Sequence, residues 1–484
     1  MKAFRARTGE EGSRTLDFDA LRRVYIQGIC GSAMAGVAKL FAEAGKMVTG
    51  SDRVFLSPMK EMLEGLGIAR VEGYRPENLD PAPDLAVVGN VMSRVQSESA
   101  ALRQRGIPYC SFPEIFEQIL LAERTSLVVA GTHGKTTTTT LLAHTLESLG
   151  EGPGFMAGGV AKEFGAPARL GVGKWFVTEG DEYETAWFDK GPKFLHYRPH
   201  AAVLTSMEYD HADIFATFDD YRTAFERFLA LVPSGGLLAY SADDLDPAWV
   251  GAHCRGRLRS YGLGAGAEVH AQGPVERSPE GSRFQVVCGG RVVDLAVPLW
   301  GEHNRKNALG VLALLTGLGF DADAVARGIA SYPGVRRRGD ILFRAPGLWV
   351  VDDFAHHPTA VKTTLEGLRD HFAGFDITAV FEPRTNTSRT RVFQDLYAES
   401  FAAASRVLIL PPPAGREGEE PFSPGALASA LAAWGTEARA VADGDEALEA
   451  VRAVRKRPAL VVTLSNGAMG GLPGRLAALA PSLA

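Results

Sequence analysis

The residues best suited to chemistry lie in the stretch VVAGTHGKTTTTTLLAHTL, which runs from Val128 to Leu146. An apolar run turns through two glycines and a lysine and then enters a helical pattern. Successive backbone N–H groups in such a turn, at the start of a helix, bind anions. The lysine of such a turn reaches terminal phosphates, and the hydroxyl after it binds Mg²⁺. The stretch therefore predicts a phosphate-binding loop.

This loop is shorter than the usual nucleoside triphosphate loop, because Val129 stands where the usual pattern has its first glycine. The remaining sequence, GTHGKT, is a tighter variant. An incidental strand, turn and helix with a surface lysine is the alternative, but it leaves the combination of two glycines, lysine and threonine unexplained. The predicted nucleotide contacts of the loop are Gly131, Thr132, His133, Gly134, Lys135, Thr136 and Thr137.

Two acidic runs follow predicted strands downstream of the loop. VTEGDEYET supplies Glu179, Asp181 and Glu182, and SMEYDHADIF supplies Glu208 and His211. Mg²⁺ prefers oxygen ligands and often shares nucleotide phosphates with the protein. Either run alone could be a solvated acidic loop. Because the carboxyl ends of parallel strands meet at one edge of a sheet, the two runs together indicate a metal site beside the phosphate loop.

Other polar clusters could bind parts of a substrate. In GEHNRKNALG, the amide of Asn307 could donate to and accept from an adenine edge, although an asparagine here could also cap a helix. Arg338 ends three adjacent arginines that suit phosphates or a solvated linker. Near the C-terminal strands, Arg384 could pair with a carboxylate through two hydrogen bonds. His356 and His357 could be structural histidines.

A glycine turn near the N-terminus, GICGSAMAG, follows the first strand of a strand–helix–strand pattern. Gly28 and Gly31 could seat a pyrophosphate at the helix start, and Asp52, after the next strand, could contact a ribose or base. An ordinary turn between a strand and a helix, with no bound ligand, could have the same sequence pattern. A dinucleotide-dependent oxidoreductase would also fit this turn, but that interpretation leaves GTHGKT and the acidic runs unexplained.

Strand and helix patterns predict an α/β protein with three domains, the number that 484 residues favour. Residues 1–21 read as a loose polar tail. Residues 22–122 predict a Rossmann-like domain, and 123–337 a P-loop-type ATPase domain. Within the latter, residues 262–300 alternate as a small antiparallel sheet does. Residues 338–484 predict a second Rossmann-like domain.

Composition excludes several classes of protein. The net charge of −6 argues against a general nucleic-acid binder. No apolar run approaches the roughly 20 residues that span a membrane. The N-terminus lacks the apolar region of a secretory signal. The four cysteines have no paired spacing that would indicate disulfides or zinc. These features predict a cytoplasmic enzyme.

The ordered motifs GTHGKTTT, MEYDHADIF, GEHNRKNA and DDFAHHP resemble those of the Mur ligase family, the ATP-dependent amide-forming enzymes of peptidoglycan synthesis. The resemblance covers nearly the whole chain. It implies a first domain for a UDP-sugar, a central domain for ATP and a third for the incoming amine. GDEYETAWFDKGPKFLHYRP, FEPRTNTS and LSNGAMGG resemble the peptidoglycan-recycling members that join UDP-N-acetylmuramate to L-alanyl-γ-D-glutamyl-meso-diaminopimelate. The alternative is the member that adds L-alanine.

The resemblance also implies roles for single residues. Lys135 and Thr136 match the phosphate and Mg²⁺ residues, and Glu179 and His211 match further metal ligands. The catalytic set is thus Lys135, Glu179, His211 and Asp353, with Asn307 and Arg338 on the nucleotide. The predicted contacts to the UDP-sugar and the peptide are Gly28, Gly31, Ser32, Asp52, His357, Arg384, Asn386 and Ser465.

The sequence departs from the family at one position. Several members carry a carbamylated lysine shortly after the metal-binding histidine, and DYRTAFERFLALVP contains no lysine. A different arrangement is therefore implied for the second metal ion. The protein is expected to be a monomer or a weak dimer that binds neither nucleic acid nor membrane. A nucleotide-gated binding protein without catalysis would be expected to have lost Lys135, Glu179 or His211, and all three are present.

Overall fold

A computed structural model describes residues 2–209, 215–385, 388–413, 420–454 and 458–483. The chain forms two compact units. The first comprises Met1–Pro274, Phe284–Leu295 and Lys306–Pro333. The second comprises Val275–Arg283, Ala296–Arg305 and Gly334–Ala484.

The first unit begins with a seven-stranded sheet in the order β2-β1-β7-β6-β3-β4-β5. Strand β3 is parallel to β4 and β6, as the strand–helix–strand pattern predicts. Its strands are β1 (Ala3–Thr8), β2 (Gly12–Asp17), β3 (Arg23–Gln27), β4 (Met47–Asp52), β5 (Ala69–Glu72), β6 (Leu85–Val88) and β7 (Tyr109–Ser111). Its helices are α1 (Ser32–Glu43), α2 (Met59–Gly65), α3 (Ser97–Gln104) and α4 (Phe112–Ile115).

The expectation of a loose tail over residues 1–21 is wrong. Strands β1 and β2 form an antiparallel hairpin, and β1 also pairs with β7. Phe4 and Ala6 are buried while most of their neighbours are exposed. Polar residues on the open face of this edge hairpin make the segment look like a tail, but alternate inward side chains join the core.

A ten-stranded sheet follows, most of it in the same unit, in the order β10-β9-β11-β8-β14-β15-β16-β17-β18-β19, with β12 and β13 as a separate hairpin. The strands are β8 (Thr125–Ala130), β9 (Gly154–Ala161), β10 (Ala166–Arg169), β11 (Trp175–Gly180), β12 (Glu184–Ala186), β13 (Asp189–Pro192), β14 (Ala201–Leu204), β15 (Leu237–Ser241), β16 (Arg257–Gly262), β17 (Val269–Ser278), β18 (Gly281–Cys288) and β19 (Arg291–Val297). The helices are α5 (Lys135–Ser148), α6 (Phe218–Leu229), α7 (Pro247–His253), α8 (Glu302–Gly317) and α9 (Ala322–Ala330).

The central strands carry the predicted polar ends to one edge of this sheet. β8 lies between β11 and β14 and is parallel to both. Residues 127–130 and 201–204 are fully buried, as continuous apolar runs in parallel sheets are. The loops after these strands therefore leave the sheet side by side, and the predicted strands are confirmed. The predicted small sheet over 262–300 corresponds to β17, β18 and β19, which are joined by short connections.

The second unit contains a six-stranded sheet in the order β20-β21-β25-β22-β23-β24. Four neighbouring pairs are parallel, and the edge strand β20 is antiparallel to β21. The strands are β20 (Asp340–Ala345), β21 (Leu348–Asp353), β22 (Asp376–Phe381), β23 (Arg406–Ile409), β24 (Glu437–Ala440) and β25 (Ala459–Leu464). The helices are α10 (Pro358–His371), α11 (Leu396–Ser400), α12 (Pro424–Ala433), α13 (Gly444–Arg452) and α14 (Leu472–Leu479). Among the described residues, none of the helices is long and apolar enough to cross a membrane.

Candidate active site

The phosphate loop connects β8 to α5 and owes its shape to two glycines. Gly131 and Gly134 have φ values of 131° and 80°, a region that side chains other than glycine rarely adopt. A Cβ on Gly134 would lie 2.5 Å from Oδ1 of Asn307, and one on Gly131 would collide with the hydroxyl of Thr205. Asn307 therefore lies against the loop, beside the start of α5, as its predicted nucleotide role requires.

The chain after β14 anchors the middle of the loop. The Thr132 amide donates to the Ser206 carbonyl (3.0 Å), and the His133 amide donates to the Ser206 hydroxyl (3.1 Å). The Thr132 hydroxyl accepts from the Glu208 amide (2.8 Å), and the His133 ring lies 2.8 Å from the Glu208 carboxylate. These two N–H groups are engaged within the protein. Thr132 and His133 thus shape the loop, and nucleotide contacts from them remain a prediction.

Lys135 is the first residue of α5 and folds back over the loop. Its ammonium donates to the carbonyls of Gly131 (2.7 Å) and Thr132 (3.1 Å), and it lies 3.0 Å from the Glu182 carboxylate. Burial alone would lower the pKa of Lys135, but the carboxylates of Glu182, Asp181 and Glu179 outweigh burial and raise it. The lysine therefore remains a cation at the mouth of the loop, where a phosphate would compete with Glu182.

Thr136 and Glu179 provide oxygen atoms suited to a hard cation. The Thr136 hydroxyl donates to Glu179 Oε1 (3.0 Å), and the Gly158 amide donates to Oε2 (2.6 Å). Burial raises the pKa of Glu179 despite that amide and the charge of Lys135. A cation would relieve the cost of ionising this carboxylate, and a hydroxyl beside a carboxylate matches the oxygen ligands that Mg²⁺ takes. These two residues therefore fit the predicted metal ion.

The third predicted metal ligand, His211, lies outside the described residues. Within the described part of the chain, no group of three or more histidine, cysteine, aspartate or glutamate side chains is placed to hold a metal ion. The complete ligand set therefore remains a prediction.

Two residues near the acidic turn do not figure among the predicted site residues. The Lys193 ammonium lies 2.7 Å from Asp181 Oδ2 and is almost entirely buried. The Tyr221 hydroxyl donates to Glu182 (3.3 Å) and lies 2.8 Å from the Thr132 hydroxyl. The only sequence signal for Lys193 is its place in the run FDKGPKFLHY. Tyr221 lies on α6 in a pattern that predicts an ordinary amphipathic helix.

The N-terminal glycine turn is closed by its own backbone. Gly28, with a φ of 76°, donates its amide to the Ser51 carbonyl (2.8 Å). Gly31 precedes α1, and Ser32 is the first residue of that helix. Asp52 accepts from the Cys30 amide (2.8 Å) and from the Tyr74 hydroxyl (3.2 Å). Asp52 therefore fixes the turn that the sequence predicts as a sugar-nucleotide site, and its contact with a ligand remains a prediction.

Asp353 and Arg338 lie in the second unit. Asp353 ends β21 and accepts from the amides of Gly339 (2.6 Å) and Ala355 (2.8 Å). Burial raises the pKa of Asp353, opposed by the charge of Arg338. The Arg338 guanidinium lies over the Phe354 ring, 4.5 Å from its centroid. Asp353 thus fixes the chain before β20 through its backbone, and the predicted nucleotide roles of both residues remain untested.

Arg384 and Ser465 come together around a carboxylate. The Ser465 hydroxyl donates to Glu382 Oε2 (2.9 Å), and the Arg384 guanidinium lies 3.4 Å from Oε1. Any side chain at Gly467 would collide with Arg384. Glu382 directly follows β22 and is not among the predicted site residues, although a charged residue at a strand end in FEPR is the signal that could have identified it. Asn386 lies outside the described residues.

His357 has a structural role that the sequence leaves open. It precedes α10, and its Nδ1 accepts from the Thr359 amide (3.3 Å), so it caps that helix. Its ring packs edge-on against Phe393 at a centroid distance of 4.9 Å. These contacts give Nδ1 a hydrogen bond and pack the ring within the second unit. The predicted contact of His357 with a substrate remains untested.

Comparison with known proteins matches three successive parts of the chain to known domains. Three family models match: Mur ligase family, catalytic domain, over residues 23–124; Mur ligase middle domain over 129–315; and Mur ligase, glutamate ligase domain, over 337–467. The chain therefore belongs to the Mur ligase family, whose members are ATP-dependent ligases. The three-domain α/β architecture predicted from the sequence is confirmed.

Individual relatives are similar over nearly the whole chain. The UDP-N-acetylmuramate–L-alanyl-γ-D-glutamyl-meso-2,6-diaminoheptandioate ligase of Escherichia coli (strain K12) is 36% identical over 94% of this chain and 97% of its own length. The UDP-N-acetylmuramate–L-alanine ligase of Kineococcus radiotolerans is 36% identical over 87% of this chain and 88% of its own. The crystal structure of a murein peptide ligase from Psychrobacter arcticus superposes with a TM-score of 0.70 at 31% identity, covering 94% of this chain and 98% of that one.

Proposed function

We propose that this protein joins the carboxylate of UDP-N-acetylmuramate to the amine of L-alanyl-γ-D-glutamyl-meso-diaminopimelate, with ATP converted to ADP and phosphate. The observation that supports a ligase most directly is the partly buried set of Lys135, Thr136 and Glu179 at the phosphate loop. This set combines a cation for phosphates with oxygen ligands for a metal ion at one helix start.

The proposed reaction has two steps, formation of an acyl phosphate and formation of the amide. The lactyl carboxylate oxygen attacks the terminal phosphorus of ATP, so that an acyl phosphate forms and ADP leaves. The peptide amine then attacks the acyl carbon, loses a proton, and phosphate departs as the amide forms. Mg²⁺ bound with the nucleotide would neutralise charge on the phosphate oxygens. Such chemistry depends chiefly on positioning and charge neutralisation.

The protein's own residues supply that positioning in the first unit. Lys135 would exchange its contact with Glu182 for the nucleotide phosphates, and Thr136 and Glu179 are the residues that would hold the metal ion, which would supply positive charge beside those phosphates. Asn307, which lies against Gly134, contacts the nucleotide base. The turn from Gly28 to Ser32 holds the UDP-sugar, and α1 directs its N-terminus toward the pyrophosphate.

In the second unit we assign peptide binding to the cluster of Arg384, Glu382 and Ser465. Arg384 offers a guanidinium to a peptide carboxylate, and such pairs can form two parallel hydrogen bonds. Glu382 and Ser465 hold Arg384 in place through contacts of 3.4 and 2.9 Å at the two oxygens of one carboxylate. The preference for the tripeptide over free L-alanine is supported by the likeness to the tripeptide and murein peptide ligases, since one guanidinium can pair with a carboxylate of either amine.

A side-by-side assay with the tripeptide and with free L-alanine tests the proposal. Phosphate release is measured with ATP, Mg²⁺ and UDP-N-acetylmuramate in both reactions, and either amine without the sugar nucleotide is the control. We expect release with the tripeptide and only background release with L-alanine. Activity with L-alanine alone would assign the protein to the alanine-adding ligases, the second candidate supported by the Kineococcus relative.

A further inference from the structure

A buried lysine that shares the neighbour Asp181 with the phosphate-loop lysine has no role in the proposed function so far. Lys193 begins the short helical turn after β13, and only 5% of its surface is exposed. Its ammonium lies 2.7 Å from Asp181. Its own amide donates to the Tyr183 carbonyl (3.0 Å), and the next amide, of Phe194, donates to the Asp181 carbonyl (3.2 Å). Lys193 is thus fixed by backbone and side chain to the acidic turn after β11.

The end of β11 and the acidic turn after it have an unusual concentration of charge. Glu179, Asp181 and Glu182 fall within four consecutive positions, and all three act electrostatically on Lys135. Glu182 pairs with Lys135 directly, whereas Glu179 is engaged with Thr136. Asp181 would be a second carboxylate competing for Lys135 if Lys193 did not pair with it. An unpaired carboxylate there would also repel the phosphates of a nucleotide.

The hairpin formed by β12 and β13 holds Lys193 at this place. At its tip, Trp187 stacks on Tyr109 of β7 with centroids 5.9 Å apart, and Phe188 meets the same ring edge-on at 5.3 Å. The base of the hairpin leads directly from Glu182 to Lys193. Both ends of the hairpin are therefore fixed within the first unit, so Lys193 reaches Asp181 from a rigid support.

We propose that Lys193 is a positioning residue for the ATP site. By holding Asp181 in an ion pair, it leaves Lys135 with a single carboxylate partner, Glu182, which the nucleotide phosphates can displace. Lys193 acts through Asp181 and does not itself contact the nucleotide. The proposal rests on the proposed function, because it assumes that the loop beginning at Gly131 binds ATP.

The test is a double-mutant cycle read by nucleotide affinity. ADP with Mg²⁺ is titrated into the purified full chain by calorimetry, for the wild type, Lys193→Met, Asp181→Asn and the double variant. We expect Lys193→Met to weaken ADP binding by about tenfold or more, since it leaves the partly buried Asp181 carboxylate without its lysine beside the phosphate site. Adding Asp181→Asn should restore affinity to within about threefold of the wild type, because the unpaired charge is then gone.

Two further variants separate positioning from simple loss of structure. Lys193→Arg keeps the charge and should retain most of the affinity. Lys190→Met removes an exposed lysine of the same hairpin, paired with Glu184, and should leave affinity unchanged. A Lys193→Met variant that binds within twofold of the wild type would refute the proposal. So would a double variant as impaired as Lys193→Met. A wild type that binds no ADP would instead refute the ATP site itself.

Discussion

Two strand–glycine–helix turns in the first unit look alike and are built differently. The N-terminal turn at Gly28 is closed by backbone amides on the Ser51 carbonyl and by the side chain of Asp52. The phosphate loop at Gly131 holds a partly buried lysine that faces carboxylates from the end of β11 and the turn after it, and Asn307 lies against its second glycine. Asp52 is the one charged side chain described at the first turn, whereas a lysine and several carboxylates lie at the second. The second arrangement suits a phosphate group and a metal ion.

The difference shows that a helix start alone does not define the ligand. Both turns direct a helix N-terminus outward, which favours anions. What distinguishes them is the charge placed around the turn by other strands, namely Glu179 near the end of β11 and Glu208 after β14. A diphosphate without metal suits the first turn, and a triphosphate with metal suits the second.

The sharpest test of the charged turn is Lys135→Ala. Turnover should fall by at least about a thousandfold, because no other residue replaces the cation at the transferred phosphate. The far-ultraviolet circular dichroism spectrum should be unchanged. Phosphate release under saturating substrates measures the effect. Normal turnover in this variant would contradict the assignment of GTHGKT as the phosphate-binding loop.

Matched alanine substitutions at Gly134 and Gly28 compare the two turns directly. Both glycines have positive φ, so each substitution costs about 1–2 kcal/mol in backbone strain. At Gly134 the new Cβ also meets Asn307 at 2.5 Å, whereas at Gly28 the nearest atom is the flexible end of Met92 at 3.5 Å. The loss in kcat/KM should therefore be larger for Gly134→Ala, measured with ATP varied, than for Gly28→Ala, measured with the sugar nucleotide varied. The reverse order would show that the N-terminal turn is the more tightly built of the two.

Arg384→Ala extends the comparison to the peptide side. Removing a guanidinium that pairs with a carboxylate should raise the KM of the tripeptide by about tenfold to a hundredfold, with little change in the KM of ATP. Initial rates with each substrate varied in turn measure the split. Arg439→Ala, at an exposed strand of the same unit, is the control. An effect confined to ATP would place Arg384 on the nucleotide instead.

The smallest expected effect concerns a contact between the part of the first unit that contains the seven-stranded sheet and the part that contains the ten-stranded sheet. His196 lies 2.9 Å from Glu117, beyond α4, and 2.8 Å from Asp189 of β13. Burial lowers the pKa of His196, but these two carboxylates outweigh it and raise the pKa above 6.5. The stabilisation is thus fully present below pH 6.5 and is lost as the pH rises through the folded-state pKa.

Urea unfolding of the wild type and His196→Gln measures this contribution. The stability difference should be of the order of 1 kcal/mol at low pH and shrink in alkaline buffer. A difference that grows with pH would mean that His196 is neutral in the folded protein.

Much of this architecture could be predicted from the sequence, because its signals are local. Buried apolar runs such as 127–130 identify parallel strands, and GTHGKT identifies the loop between one of them and a helix. Lys193 could not be predicted to matter, because its partner is fixed by the fold, whereas the signal for Glu382 is limited to its place at a strand end in FEPR. The paired strand ends and the β12–β13 hairpin bring Lys193 to Asp181, and the spacing of these two residues in the sequence does not predict their contact. The hairpin over residues 3–17 looked like a tail because only Phe4 and Ala6 of β1 are fully buried.

That first hairpin bears on how the protein is handled in the laboratory. A recombinant version trimmed to begin at residue 22, a natural choice for a chain thought to start with a loose tail, would strip β1 from β7. The bared strand would present unpaired backbone groups beside newly exposed apolar surface, the combination that promotes association between sheet edges. We expect such a version to aggregate, and a solubility tag placed ahead of residue 1 to be the better choice.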